Sequence, residues 1–267
     1  MQLSLPMYDL PCVKAATDAW CAGLSRALAN EGFDGAPETL TRGEGVDALW
    51  RSPDLLLSQT CGYPLLTSYR DCLSLLLTPV YRTPGCTGGK YRSFTVVSRD
   101  STAQSLADLR GSRCAINGAT SQSGMNVLRR EIAPLARDGR FFSEIVVSGR
   151  HPESIALIVA GEADVAAIDC VTFGLMAKHA PDTVSAVRVL GETRAAPSLP
   201  YVTTSDATAE CQARIKAALR NAVVDPDLAS VREVLLIDGF TELSLSEYEI
   251  MTDMEAEAAA MGYPALA

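Results

Sequence analysis

An α/β fold with largely parallel sheets is predicted by two features of the sequence. Short apolar runs alternate along most of the chain with segments whose apolar residues recur at helical spacing, and this is the order of βαβ units. Several apolar runs end in polar turns that contain glycine, which is where ligands bind in such folds. With 48% hydrophobic and 21% charged residues among 267, the composition is that of a globular protein and not of a disordered one.

The first part of the chain begins with a strand, because Leu3, Leu5 and Met7 alternate with other residues. Apolar residues at helical spacing then predict a helix from about residue 13 to residue 28. Further strands are predicted at Asp54–Leu57, Leu73–Tyr81 and Phe94–Val97, with a Gly/Pro-rich loop, TPGCTGG, between the last two.

A second series of alternating elements follows, and from Asp206 the chain is predicted to be mostly helical, with acidic amphipathic stretches. Two α/β series suggest two lobes, which we assign as residues 1–94 plus 199–267 and residues 95–198. The segments YRSFTVVSRDS and LGETRAAPSLPYVTT would cross between them. The predicted elements are a short helix at Ser105–Leu109, a strand at Arg113–Ile116, a helix at Ser121–Leu135, a strand at Phe141–Val147, a helix at Pro152–Ala160, a strand at Ala163–Ile168, a helix at Cys170–His179 and a strand at Val184–Leu190.

Charge and targeting signals restrict the partners. The net charge of -9, from 23 Lys and Arg against 32 Asp and Glu, argues against nucleic acids and anionic membrane surfaces, which attract basic faces. No segment approaches the ~18 continuous apolar residues of a membrane helix, so no membrane insertion is expected. The start, MQLSLPMYDLP, lacks the basic and apolar regions of a secretory signal. A cytoplasmic location is therefore expected, or a periplasmic one if a signal has been removed or export is non-standard.

Eight cysteines are scattered along the chain without a C-x-x-C pair, and the histidines are His151 and His179. This spacing argues against a zinc cluster, and a chain of this length does not need disulfides to fold. Reduced and mostly buried thiols are expected, with neither a metal nor a cofactor.

The most informative motif is Asn117–Asn126, which follows a predicted strand and opens a predicted helix. Unpaired N–H groups at a helix start attract anions, and the hydroxyls of Thr120, Ser121 and Ser123 would add donors. The alternative is that one serine simply caps the helix. The lysine of a nucleotide-binding P-loop is absent from this stretch.

Three other turns follow predicted strands. Ser58–Tyr63 repeats the polar turn in the first lobe, Ser148–Ser154 brings His151 to a helix start, and Asp169 ends a strand. For each, the alternative is an ordinary turn residue or a helix cap. At a predicted crossing, Arg92 is either a bidentate oxyanion partner or a surface arginine.

An enzyme is the alternative class of function. Cys61 or Cys170 would pair with His151 as thiolate and imidazole, although neither cysteine lies in a recognised protease signature. In this alternative, His151 or Asp169 acts as the acid or base.

Three runs, SLADLRGSRCAINGATSQSGMNVLR, SGRHPESIALIVAGEADVAAIDCVTFGL and LGETRAAPSLPYVT, together resemble the substrate-binding proteins of phosphate, phosphite and phosphonate ABC transporters. The resemblance covers roughly residues 54–205. It implies the type II periplasmic-binding-protein fold, in which two α/β lobes are joined by two crossing segments with a ligand cleft between them. It also implies a solute-binding protein that closes its lobes around a small oxyanion or phosphonate-like ligand, with an ABC transporter permease as a possible partner.

The resemblance further implies which side chains contact the ligand: the Ser/Thr helix start, an aromatic residue near the hinge, the acidic strand end and the two other turns. The same fold occurs in cytosolic enzymes, such as chorismate dehydratase-like and thiamine-precursor proteins, and an enzyme of this kind is the alternative to a binder without catalysis. With Gln122, which lies within the helix-start motif between Ser121 and Ser123, the predicted ligand-binding residues are Gln59, Thr60, Tyr63, Tyr91, Thr120, Ser121, Gln122, Ser123, His151, Ser154 and Asp169.

Overall fold

The computed structural model describes residues 1–43 and 45–267, in which strands and helices alternate as the sequence predicts. The strands are β1 Gln2–Ser4, β2 Leu55–Gln59, β3 Leu73–Leu75, β4 Thr78–Tyr81, β5 Lys90–Tyr91, β6 Ser93–Ser98, β7 Arg113–Ile116, β8 Glu144–Val147, β9 Val165–Asp169, β10 Val187–Glu192, β11 Ala196–Pro197, β12 Tyr201–Thr204 and β13 Ile237–Thr241.

The helices include one irregular start, a wider π-type turn at Gln122–Asn126 that leads directly into α4. Among the described residues, no helix has both the length and the apolar character needed to cross a membrane. The helices are α1 Lys14–Asn30, α2 Val46–Trp50, α3 Gly62–Thr67, α4 Val127–Ile132, α5 His151–Val159, α6 Cys170–His179, α7 Ala209–Val224, α8 Ala229–Leu235, α9 Leu245–Tyr248 and α10 Ile250–Ala260.

The chain divides into two compact units. The boundaries differ from those predicted. The chain leaves the first unit before β5 and returns to it within β11, and its last residues belong to the second unit. The first unit comprises Met1–Arg82, Thr87–Gly89 and Pro197–Glu247, and the second comprises Thr83–Cys86, Lys90–Ala196 and Tyr248–Ala267.

The first unit contains a sheet with strand order β1-β2-β12-β3. β1 and β2 are parallel, whereas β12 is antiparallel to both β2 and β3. Trp20 of α1 donates a hydrogen bond to the hydroxyl of Tyr201 at 3.0 Å, which fastens this helix to β12. β4 pairs with β13, a strand that the sequence does not predict because Asp238 and Gly239 disfavour strands.

The second unit contains a sheet with strand order β10-β6-β9-β7-β8. β9, β7 and β8 are parallel, but β6 is antiparallel to β9 and β10 is antiparallel to β6. Both sheets are therefore mixed, and the prediction of largely parallel sheets is wrong for β6, β10 and β12. A helical crossover makes neighbouring strands parallel, and β6 and β12 instead follow segments where the chain changes units.

The directions of these strands bring several polar turns to one edge of the second sheet. The carboxyl ends of β7, β8 and β9 lie there, and the register pairs Ser93, the first residue of β6, with Asp169, the last residue of β9. We call this the strand-end edge. It is the place where α/β folds bind ligands.

The C-terminal helix α10 packs in the second unit and not in the first, for which the sequence predicts it. Its Met251 and Met254 are fully buried. The side-chain amide of Asn126 donates to the Met251 carbonyl at 2.8 Å, and the Arg129 guanidinium donates to the Pro264 carbonyl at 2.9 Å. The acidic residues that suggested a solvated face include Glu257, whose carboxylate pairs with Arg130.

Candidate functional site

The strand-end edge collects polar residues from four strands. Asn117 follows β7, Ser148 follows β8, Asp169 ends β9 and Ser93 begins β6. Because these strand ends are neighbours in the sheet, residues that lie more than seventy positions apart in the chain become parts of one surface. This edge is the candidate functional site.

Ser121 caps the helical segment that follows β7. Its hydroxyl accepts a hydrogen bond from the N–H of Gly124 at 3.0 Å, so Ser121 acts as a helix cap. The first N–H groups of a helix have no carbonyl partner within the helix, and they carry the positive end of its dipole. Thr120 is exposed in the turn just before this cap. The segment therefore presents N–H groups and hydroxyls at the strand-end edge.

Gly124 permits a close approach of Asn117 and His151 to this helix start. A Cβ atom at position 124 would overlap the Asn117 side-chain oxygen and would lie 2.8 Å from Asn117 Cγ and 3.3 Å from His151 Cε1. Real Cβ atoms essentially never come within 3.0 Å of another residue's atoms. The glycine therefore gives these two side chains their space.

Ser123 connects three of the strand ends. Its hydroxyl lies 2.9 Å from Nε2 of His151, the first residue of α5. Its carbonyl accepts a hydrogen bond from the Ser93 hydroxyl at 2.8 Å, at the start of β6. All three residues are buried, so one serine holds the turns after β7 and β8 to the start of β6.

The Ser123–His151 pair is neutral near pH 7. Burial lowers the pKa of His151 to about 4, so its ring carries a single N–H at neutral pH. The pair then has two hydrogens, one on the hydroxyl and one on the ring, and uses one of them in the mutual hydrogen bond. The other hydrogen, on Ser123 Oγ or on His151 Nδ1, remains for an external acceptor in either tautomer.

Two buried polar atoms at this position have no hydrogen-bond partner among the described residues. They are the side-chain oxygen of Asn117 and Nδ1 of His151. Buried polar atoms in folded proteins are nearly always paired with protein, water or ligand. A ligand with both acceptors and a donor would satisfy both atoms.

Ser154 and Asp169 take part in local structure at the same edge. The Ser154 hydroxyl lies 2.6 Å from that of Ser148, which also lies 3.1 Å from the Ile116 carbonyl. One oxygen of Asp169 accepts hydrogen bonds from Val171 N–H at 2.7 Å and from Thr172 N–H at 3.0 Å, and so caps α6. These contacts stabilise the turns, and ligand contacts by Ser154 and Asp169 stay predictions.

The structure does not bring Gln122 together with Ser123 and His151. The Gln122 side-chain oxygen accepts a hydrogen bond from Asn126 at 2.6 Å, and its amide nitrogen donates to the Met254 sulfur at 3.4 Å. The side chain therefore packs toward α10, and a ligand contact by Gln122 stays a prediction.

In the first unit, the predicted residues lie at the end of β2 and in α3. The side-chain nitrogen of Gln59 donates to the Tyr81 hydroxyl at 3.1 Å and to the Leu199 carbonyl at 2.9 Å, so both of its hydrogens serve the fold. The buried Thr60 donates its N–H to the Pro200 carbonyl at 3.1 Å. Tyr63 is buried in α3.

The remaining predicted residue, Tyr91, is buried in β5 of the second unit. Its ligand contact, like those of Gln59, Thr60 and Tyr63 in the first unit, stays a prediction.

Cysteine chemistry has little support at this edge. Cys170 follows Asp169 directly, but its sulfur lies 3.5 Å from that of Cys86, not in a pair with His151. The hydrogen bond with Cys86 and burial raise the pKa of Cys170 far above the ordinary thiol range, so it is a thiol and not a thiolate. Among the described residues, no three His, Cys, Asp or Glu side chains are grouped to hold a metal ion.

Three residues of the site were not among the predicted ligand contacts: Asn117, Ser93 and Ser148. Asn117 and Ser148 each follow a predicted strand directly, so the rule that ligands bind at strand ends would have included them. The same rule does not predict Ser93, which begins a strand and lies at this edge only because β6 runs antiparallel to β9.

A family model described as the periplasmic substrate-binding protein of phosphonate ABC transporters matches residues 15–248 of this chain. In a comparison with curated proteins, none matches this chain.

Solved structures are similar over almost the whole chain. The binding-protein component of an ABC phosphonate transporter from Pseudomonas aeruginosa has a TM-score of 0.79 and 11% identity over 98% of this chain and 87% of its own. PhnD1 from Prochlorococcus marinus, in complex with methylphosphonate, has a TM-score of 0.74 and 14% identity over 97% of this chain and 98% of its own. XAC2383 from Xanthomonas citri, bound to chloride, has a TM-score of 0.70 and 17% identity over 98% of both chains. The fold is that of type II periplasmic binding proteins.

The buried neutral histidine makes stability depend on pH. An unfolded histidine, with a pKa near 6.5, takes up a proton as the pH falls toward 4, whereas folded His151 with a pKa of about 4 does not. Stability is therefore lost as the pH falls through this window. We expect His151→Asn to remove about 2–3 kcal/mol of the loss between pH 7.5 and pH 4.5, measured by urea unfolding at both values.

Ser143→Ala, which changes an exposed residue of the same unit and removes no titratable group, is the control, and we expect it to keep the wild-type difference between the two pH values. Equal losses of stability in the wild type and in His151→Asn would contradict a neutral, buried His151.

The close approach at Gly124 gives a second test. We expect Gly124→Ala to lower the free energy of unfolding by roughly 1–3 kcal/mol, because the new methyl group displaces Asn117 and His151. Gly118→Ala, in the same motif, is the control, since a Cβ there meets nothing within 4 Å. Chemical denaturation measures both variants, and equal stabilities would show that Asn117 and His151 do not pack against position 124.

Proposed function

The chain belongs to the family of periplasmic substrate-binding proteins of phosphonate ABC transporters, and we propose that it binds a small phosphonate-like oxyanion at the strand-end edge of its second unit. The observation that carries this proposal is the buried Ser123–His151 pair, with 2.9 Å between Oγ and Nε2. Family membership supports a solute-binding role, and the pair supplies a specific place for the anion.

The donors at this edge suit an oxyanion. The Ser123–His151 pair contributes one hydrogen in either tautomer, and the helix start after Ser121 contributes N–H groups at the positive end of a helix dipole. Hydrogen bonds from neutral donors to a charged acceptor are about twice as strong as bonds between neutral groups. A tetrahedral group with several oxygens can accept from all of these donors at once.

The side-chain oxygen of Asn117 adds a preference for a ligand that also has a donor. It is a buried acceptor without a partner among the described residues, next to Gly124 and His151. A fully deprotonated anion without other groups has no hydrogen to give it. A monoprotonated phosphonate, or a phosphonate with an amino or hydroxyl substituent, has one.

For location and partner, we propose that the protein works in the periplasm and passes its ligand to an ABC transporter permease. The family description supports both statements. The family's solute-binding role favours a binder over the enzyme alternative, and Cys170, a protonated thiol in contact with Cys86, supplies no thiolate at this edge in the reduced protein.

Calorimetric titration tests the proposed ligand class. The compounds are methylphosphonate, an aminoalkylphosphonate, phosphite, phosphate, sulfate and acetate, each added to the purified protein at pH 7. We expect a phosphorus oxyanion to bind. We expect Ser123→Ala to weaken this binding roughly 10- to 100-fold, because the variant removes either the hydroxyl donor or the contact that orients the His151 Nδ1–H donor, and a hydrogen bond to a charged group contributes ~1.5–3 kcal/mol.

Ser143→Ala is the matched control, since Ser143 is an exposed serine of the same unit whose hydroxyl bonds to the Ser112 carbonyl. We expect it to bind the ligand as the wild type does. If no compound binds, the ligand class is wrong; if a compound binds equally to the wild type and Ser123→Ala, the placement of the site is wrong.

A further inference from the structure

Two cysteines of the second unit lie in contact, although 84 positions separate them in the sequence. The sulfur atoms of Cys86 and Cys170 are 3.5 Å apart. Cys170 is fully buried, whereas Cys86 is partly accessible to solvent. This contact has no part in the proposed oxyanion site, and nothing in the ligand chemistry requires it.

The backbone next to Cys86 and the backbone of Cys170 both favour this contact. Gly85 has a φ of +89°, and a Cβ atom there would lie 2.8 Å from Cys170 Cβ and 3.0 Å from its sulfur. A glycine at this position therefore lets the Thr83–Cys86 segment approach Cys170. Cys170 is held in turn by its N–H, which donates to the Arg92 carbonyl at 3.1 Å.

We propose that Cys86 and Cys170 form a reversible disulfide when the protein meets an oxidising thiol–disulfide couple. The bond would tie the Thr83–Cys86 segment to the start of α6, directly after Asp169 at the strand-end edge. A disulfide has a sulfur–sulfur distance of about 2.05 Å, so the two atoms must approach by about 1.5 Å.

The exposures of the two thiols set the order of the chemistry. Cys86 is the accessible sulfur, so its thiolate attacks a small disulfide such as oxidised glutathione, forming a mixed disulfide and releasing one glutathione thiolate. Cys170 then attacks the Cys86 sulfur, and its proton passes to the departing glutathione thiolate, which leaves as the second glutathione thiol. The two protein thiols lose two electrons and two protons, and one glutathione disulfide becomes two thiols.

Members of this family are periplasmic proteins, and the periplasm is a compartment in which such a disulfide can form. Disulfides form and persist in the oxidising periplasm, whereas cytoplasmic thiols are kept reduced. The proposal does not depend on which ligand the protein binds, so its test and the ligand titration fail independently.

The experiment incubates the purified protein with oxidised glutathione and then maps its disulfides by mass spectrometry of a non-reduced digest. We expect one cross-linked peptide pair that contains Cys86 and Cys170, lighter by two hydrogens and separated by a reductant. A bond that closes a loop of this length should also raise the melting temperature by roughly 5–15 °C, reversed by dithiothreitol.

Variants keep the proposal falsifiable. Cys86→Ser changes a partly exposed residue, and we expect it to fold and to lose both the cross-link and the reversible shift in melting temperature. Cys211→Ser, which removes a partly exposed cysteine of the first unit, keeps both. Cross-links to other cysteines, no cross-link at all, or a shift that persists in Cys86→Ser would overturn the proposal.

Discussion

The strand-end edge of the second unit depends on the way in which Ser123 is held. Its hydroxyl contacts His151 and its carbonyl accepts from Ser93, so one buried residue fixes the distances between the start of β6, the helical segment after β7 and the helix after β8. This arrangement constrains the next residue, because Gly124 must lack a side chain for Asn117 and His151 to lie against the helix start. It also constrains the charge of the site. A protonated imidazole would be costly to bury here, and burial accordingly keeps His151 neutral.

The proposed site would attract an anion through the orientation of its neutral hydrogen-bond donors and not through a net positive charge. The chain as a whole carries a charge of -9, yet the donors identified at the edge are a hydroxyl–imidazole pair and the N–H groups of a helix start. Fixed neutral dipoles of this kind need little reorganisation when the anion arrives, and in a buried site they act at low dielectric. They also distinguish ligands by geometry, since a donor is useful only where a ligand oxygen can lie. The buried Asn117 oxygen adds the opposite requirement, a hydrogen on the ligand.

Local patterns in the sequence predict the elements and the turns, but not the directions or partners that depend on the path of the whole chain. The strand at Arg113–Ile116 and the helices near Pro152 and Cys170 follow from periodicity, and the structure confirms them. The antiparallel direction of β6 depends on where the chain enters the second unit, and Ser93 joins the edge for that reason alone. Gln122 and Ser123 are adjacent in one polar motif, yet the π-type turn directs Gln122 toward Met254 and Ser123 toward His151. The contacts that hold α10 in the second unit, such as the hydrogen bond from Asn126 to the Met251 carbonyl, join distant parts of the chain, and no local pattern contains them.

The central claim is that a neutral Ser123–His151 pair holds the oxyanion. The most direct measurement is an NMR titration of isotope-labelled protein with methylphosphonate at pH 7, following the ring nitrogens of His151 and the backbone amides of residues 121–125. The account predicts that these signals shift in proportion to ligand bound, while the His151 ring nitrogens keep the pattern of a singly protonated imidazole. Saturable binding that leaves these signals unchanged, or that turns His151 into a doubly protonated imidazolium, would contradict it.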